Sequence, residues 1–121
     1  MAEKSFGLLL KTAADEGKEK HVPIIECPST AAAGEPFAIS VTVGKEVAHP
    51  NTAEHHIKWI QVFAHEEGKN PVHLMTFDAG PGHGEPKITF SVKLERPSVL
   101  YALSYCNIHG VWENSTEVKV S

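Results

Sequence analysis

Only two of the 121 residues are cysteines, Cys27 and Cys106, so a disulfide-rich secreted scaffold is excluded. The one pairing they could make is not expected, because a cytoplasmic chain is kept reduced and leaves both thiols available. No apolar run approaches the length that spans a bilayer, and Phe6 to Leu10 is too short for a signal-peptide core before the charges of Lys11, Asp15 and Glu16. No membrane association is expected, and the cytoplasm is the expected location. Lys and Arg number 11 against 15 Asp and Glu, a net charge of -4, and nowhere form a basic run. That pattern excludes the electrostatic footprint of a nucleic-acid partner. Methionine is confined to Met1 and Met75. Helical periodicity is also missing, although Phe6 to Glu16 has room for a turn or two of helix, and there is no internal repeat.

What is present is strand pattern. Phe37 to Val43 and Ile88 to Leu94 alternate apolar and polar residues, the period of a half-buried strand. β-Branched and aromatic residues mark Val22 to Cys27, Ile57 to Phe63, Val72 to Phe77, Val99 to Tyr105 and Val118 to Val120. Turn signals separate them: Ala33-Gly34-Glu35-Pro36, Glu67 to Pro71, the Gly/Pro-rich Asp78 to Pro86, and Glu95-Arg96-Pro97. Seven short strands at this spacing predict an all-β, antiparallel sandwich or barrel of immunoglobulin-like type. At 41% hydrophobic the chain suits one domain, with residues 1–18 as an irregular N-terminal segment packing on it and 19–121 as the sandwich.

Eight histidines are many for this length. Four fall at predicted strand ends, where loops can gather them: His21 before the first strand, His49 beside Pro50-Asn51, His55 entering the third strand, and His109 after the sixth, which Cys106 terminates. A thiolate with several neutral imidazoles suits a soft or borderline transition metal. Cys106 and His109 can reach one ion from a single loop, a spacing shared by copper, zinc and iron proteins. His55 and His56 are adjacent on a predicted strand, so only one of them faces a given ion. His56, His65, His73 and His83 are expected to be solvated or hydrogen-bonded, and Cys27 to be a small packed residue.

Three motifs in order, Glu19-Lys20-His21-Val22-Pro23, His49-Pro50-Asn51 with Glu54-His55, and Cys106-Asn107-Ile108-His109-Gly110, resemble the superoxide reductases. The resemblance covers nearly the whole chain. It is strongest to the one-iron neelaredoxin type, since no cysteine before Glu19 is available for the second iron centre of the desulfoferrodoxins. It implies one iron ion per chain, held by His21, His49, His55 and His109 in a plane and by Cys106 axially, with His109 binding through Nδ1. It also implies Glu19 as sixth ligand in the ferric state, Lys20 beside the open position, superoxide as substrate, rubredoxin or a similar small protein as electron donor, and a homo-oligomer, a tetramer in the favoured case.

A superoxide anion approaching a chain of net charge -4 needs a local positive potential, which the metal and Lys20 would supply. Two rivals share the Cys-x-x-His segment. A cupredoxin-like electron carrier commonly has an axial methionine soon after the histidine, whereas both methionines here precede Cys106. A closed structural zinc site uses four ligands, whereas five are indicated.

Overall fold

The computed structural model describes residues 6–16 and 20–121. A four-residue helix, α1 (Phe6–Leu9), and a 3₁₀ turn (Ala13–Asp15) precede eight strands: β1 (Pro23–Glu26), β2 (Thr30–Ala31), β3 (Phe37–Val43), β4 (Ile57–His65), β5 (Val72–Asp78), β6 (Lys87–Val92), β7 (Ser98–Cys106) and β8 (Gly110–Val120). They form two open sheets, ordered β1-β3-β6 and β2-β8-β7-β4-β5. All pairings are antiparallel except the short parallel contact of β2 with β8.

Period-2 patterning explains why these segments pair. In β3, Ile39, Val41 and Val43 are buried while Ser40 turns outward and exchanges a 2.8 Å hydrogen bond with its cross-strand partner Thr89 on β6. From the other sheet Ile60, Val62 and Ala64 of β4, Leu100 and Ala102 of β7, and Val118 of β8 close the same core. Burying an aliphatic side chain of this size contributes about 1.5–3 kcal/mol, so this shared cluster holds the sheets together. Ser104 is the polar intruder in the β7 row, fully buried, and its hydroxyl donates to the His21 carbonyl at 2.6 Å.

All seven predicted strands form, and the prediction fell short in four ways. Thr30–Ala31 is an eighth strand, too short to announce itself. Strand β8 runs for 11 residues where only Val118 to Val120 was expected, because Glu113, Asn114, Ser115 and Thr116 disguise the alternation that pairs with β7. The sheets stay open, so the barrel alternative is discarded. His55 and His56 lie before β4, not on it. The N-terminal segment meets β8 through Lys11, whose N–H donates to the Val111 carbonyl (3.3 Å) and whose carbonyl accepts from the Glu113 N–H (2.7 Å). No helix among the described residues is long and apolar enough to cross a membrane.

Candidate metal centre

The strand ends at one pole of the sandwich carry the histidines and Cys106. His21 lies two residues before β1 and His49 follows β3, so the loops of the three-stranded sheet supply two of them; His55 precedes β4, Cys106 ends β7 and His109 lies in the turn to β8, all at strand ends of the five-stranded sheet. The four imidazoles form a closed square. Ring centres are separated by 4.8 Å for His21–His49, 4.8 Å for His49–His55, 5.2 Å for His55–His109 and 4.8 Å for His109–His21. Each pair meets edge to face, with interplanar angles of 71°, 81°, 64° and 75°.

This spacing is that of a coordination site. Four imidazoles bound to one ion at about 2.1 Å would place neighbouring ring centres about 4.6 Å apart and neighbouring donor nitrogens about 3.0 Å apart. Here His21 Nε2 and His109 Nδ1 face each other at 3.0 Å. Cys106 Sγ stands 3.6 Å from the same Nδ1, and the candidate ligand atoms of His21, His55, Cys106 and His109 all lie within 4.8 Å of one another. Nitrogen and thiolate donors together fit a transition metal of borderline softness.

Local structure fixes each candidate ligand. His21 is 5% exposed; its ring stacks on Trp112 with centres 4.5 Å apart and planes 12° from parallel, and Ser104 holds its carbonyl. His49, 6% exposed, presents Nδ1 to the Pro50 carbonyl at 2.7 Å. That bond places the proton on Nδ1 and leaves Nε2, which is buried, as the donor atom. The loop reaches His49 through Gly44, whose φ is +81° and where a Cβ would stand 2.6 Å from the main-chain nitrogen of His49; only glycine suits such a backbone. The buried His56 points its Nδ1 at the Thr52 carbonyl, 3.0 Å away, and thereby stands outside the square that His55 joins.

The last two candidate ligands share one turn. The fully buried Cys106 receives the His109 N–H at 3.4 Å from Sγ, and Gly110, at φ +84°, returns the chain into β8. Asn107 clamps this turn to the His55 loop: Oδ1 accepts the His56 N–H at 2.9 Å, and Nδ2 donates to the Glu54 carbonyl at 2.9 Å. Unlike its partners, His109 is exposed, so the square opens to solvent on its side.

A region of 103 residues, 13–115, matches the family model for desulfoferrodoxin. The chain belongs to the desulfoferrodoxin family. Relatives within that family include the neelaredoxin of Megalodesulfovibrio gigas, 44% identical over 87% of this chain and 91% of its own length. The superoxide reductase of Pyrococcus abyssi is 45% identical over 84% of this chain and 89% of its own. The solved superoxide reductase (neelaredoxin) from Ignicoccus hospitalis superposes with a TM-score of 0.90 at 46% identity, covering 98% of this chain and all of that one.

Among the other residues singled out in the sequence, Lys20 is half-buried and lines a cavity of about 230 Å³ together with Glu16, Val22, Ile24, Gly44, Lys45 and Glu46. Glu19 lies outside the described residues. Cys27 is a free thiol packed against the core, and burial pushes its pKa up. Met75 stands opposite Val62 in the middle of the β4–β5 ladder, away from the ligand loops. Sequence reasoning passed over Glu16, Ser104, Asn107 and Trp112. Only Asn107 and Trp112 carried a usable signal, the first inside the Cys106–His109 motif and the second three residues after it.

Proposed function

We propose that this chain is a superoxide reductase of the one-iron, neelaredoxin type, joining superoxide, one electron and two protons into hydrogen peroxide. The observation that carries this is the square of four imidazoles with the buried sulfur of Cys106 beside it. His21, His49, His55, His109 and Cys106 would hold the iron, and Glu19 would join them as a further ligand in the ferric state. Iron bound there supplies the single electron, and its ferrous site with one thiolate and four neutral imidazoles carries a formal charge of +1 within a chain of -4.

The protein side chains set the conditions for that chemistry. The His109 N–H on Cys106 Sγ lowers the electron density the sulfur donates, a recognised way of tuning a metal–thiolate site. Lys20, a cationic side chain, adds positive potential that draws the anion in. Rubredoxin or a similar small carrier restores the electron. The protein works in the cytoplasm as a homo-oligomer, a tetramer in the favoured case. Residues 19–121 make up the iron-binding domain and residues 1–18 its N-terminal segment; the paired open sheets support classing it as an immunoglobulin-like sandwich built on seven main strands.

The test is reconstitution with ferrous iron under anaerobic conditions. The expected result is one iron per chain, a visible charge-transfer band on oxidation, and one hydrogen peroxide for each superoxide consumed when a reductant is present. Cys106→Ser removes both the band and the reductase activity. Tight stoichiometric zinc with no visible band, or one peroxide per two superoxides as in dismutation, would sink the proposal.

A further inference from the structure

The N-terminal arm ends in a contact that the ligand set does not explain. Lys11 is pinned to β8, and the turn after it is locked by the Asp15 carboxylate, which accepts the Thr12 N–H at 2.9 Å. Glu16 follows directly. Its Oε2 accepts two successive main-chain N–H groups, from His21 at 2.8 Å and Val22 at 2.9 Å. Bonds from N–H groups to a carboxylate are charge-assisted and stronger than neutral ones. One oxygen therefore ties the start of the 16–21 segment to its end. The same carboxylate and Lys20 line one cavity.

We propose that Glu16 is a positioning residue for superoxide capture: by binding the His21 and Val22 N–H groups it fixes the main chain from which Lys20 is presented. The His21 ring itself is held independently, by the Ser104 hydroxyl on its carbonyl and the Trp112 stack. Glu16 thus governs the direction of Lys20 more than the retention of metal. The kinetic part of this assignment rests on the superoxide-reductase function; the hydrogen-bonding part does not.

Charge and position make opposite predictions. As a bare negative charge near an entering anion, Glu16 would slow capture, and removing it by any substitution would speed the reaction. As a positioning group it is needed for its acceptor oxygen, which Glu16→Gln keeps and Glu16→Ala removes. Pulse radiolysis of the iron-loaded protein should find the second-order rate with superoxide at or above wild type for Glu16→Gln and several-fold lower for Glu16→Ala, no lower than Lys20→Ala makes it. Iron content and the visible band should stay unchanged in both variants. Amide hydrogen exchange should show His21 and Val22 protected in wild type and in Glu16→Gln, with protection reduced about tenfold or more in Glu16→Ala.

An alanine variant as fast as wild type, a glutamine variant as slow as alanine, or loss of iron in the alanine variant would each overturn the proposal. So would wild-type His21 and Val22 amides that exchange without protection. A wild-type protein inert toward superoxide with protected amides would instead place the fault in the function assigned to the metal centre.

Discussion

Asn107 is not itself a candidate ligand, yet it joins the two loops that supply three of the five proposed ligands. Asn107→Ala deletes the bonds from the His56 N–H and to the Glu54 carbonyl, while the main-chain bond from the Asn107 N–H to the His56 carbonyl, 3.2 Å, survives. Each lost bond is worth about 0.5–1.5 kcal/mol net, so about 2 kcal/mol of loop docking disappears. That energy has two destinations. If the loops stay docked in the metal-free protein, the whole is lost from folding stability, and a chain of 121 residues should melt about 8 °C lower. If they separate until metal gathers them, iron affinity weakens by up to about 30-fold. Differential scanning calorimetry of the metal-free protein and chelator competition for ferrous iron, performed on the same variant, measure both parts. Combined losses near 2 kcal/mol are expected, whatever their division; a total below about 0.5 kcal/mol would refute the clamp, since it would be less than one ordinary hydrogen bond.

Other perturbations separate ligands from their supports. His55→Ala should abolish stoichiometric iron binding, whereas His56→Ala should keep it and cost about 1–3 kcal/mol of stability through the lost Thr52 contact and packing; metal analysis and thermal melting give both readings, and the reverse pattern would exchange their roles. Gly44→Ala should lower iron content without unfolding the sheets, because a Cβ 2.6 Å from the His49 nitrogen must push that loop aside; full iron loading would show that the loop has slack. Lys20→Ala should slow the reaction with superoxide several-fold and flatten its dependence on ionic strength, as loss of a screened steering charge requires. An unchanged salt slope would remove Lys20 from steering. Cys27, with its pKa raised by burial, should react with iodoacetamide at pH 8 more slowly than a free thiol of similar peptides, since only the thiolate attacks.

The ligands were readable from sequence because their chemistry is rare and their spacing constrained: a cysteine and a histidine three positions apart, with other histidines beside turn signals. The strands were readable where one face is apolar, as in Phe37–Val43. Legibility failed where a side chain acts at a distance. Ser104 looked like one more polar position in an alternating strand, and its meaning depends on a carbonyl 83 positions earlier. Glu16 sat in a segment that reads as irregular, and its role follows from where two N–H groups end up after folding. The length of β8 was hidden because its partner β7, not its own composition, sustains pairing through Glu113 to Thr116.

Placing two imidazoles on one sheet and two, with the thiolate, on the other makes the metal a cross-brace between halves of the molecule. His21 and His109 stand 88 positions apart in the chain, so an ion holding both also closes a long loop of the unfolded polypeptide, a constraint that slows folding when it must form early. Binding that occurs only in the native state stabilises it by about 2.7 kcal/mol when free metal is a hundredfold above the dissociation constant. The melting temperature should therefore climb with free ferrous iron, and starvation for iron should leave the chain more open to proteolysis before it merely leaves it idle.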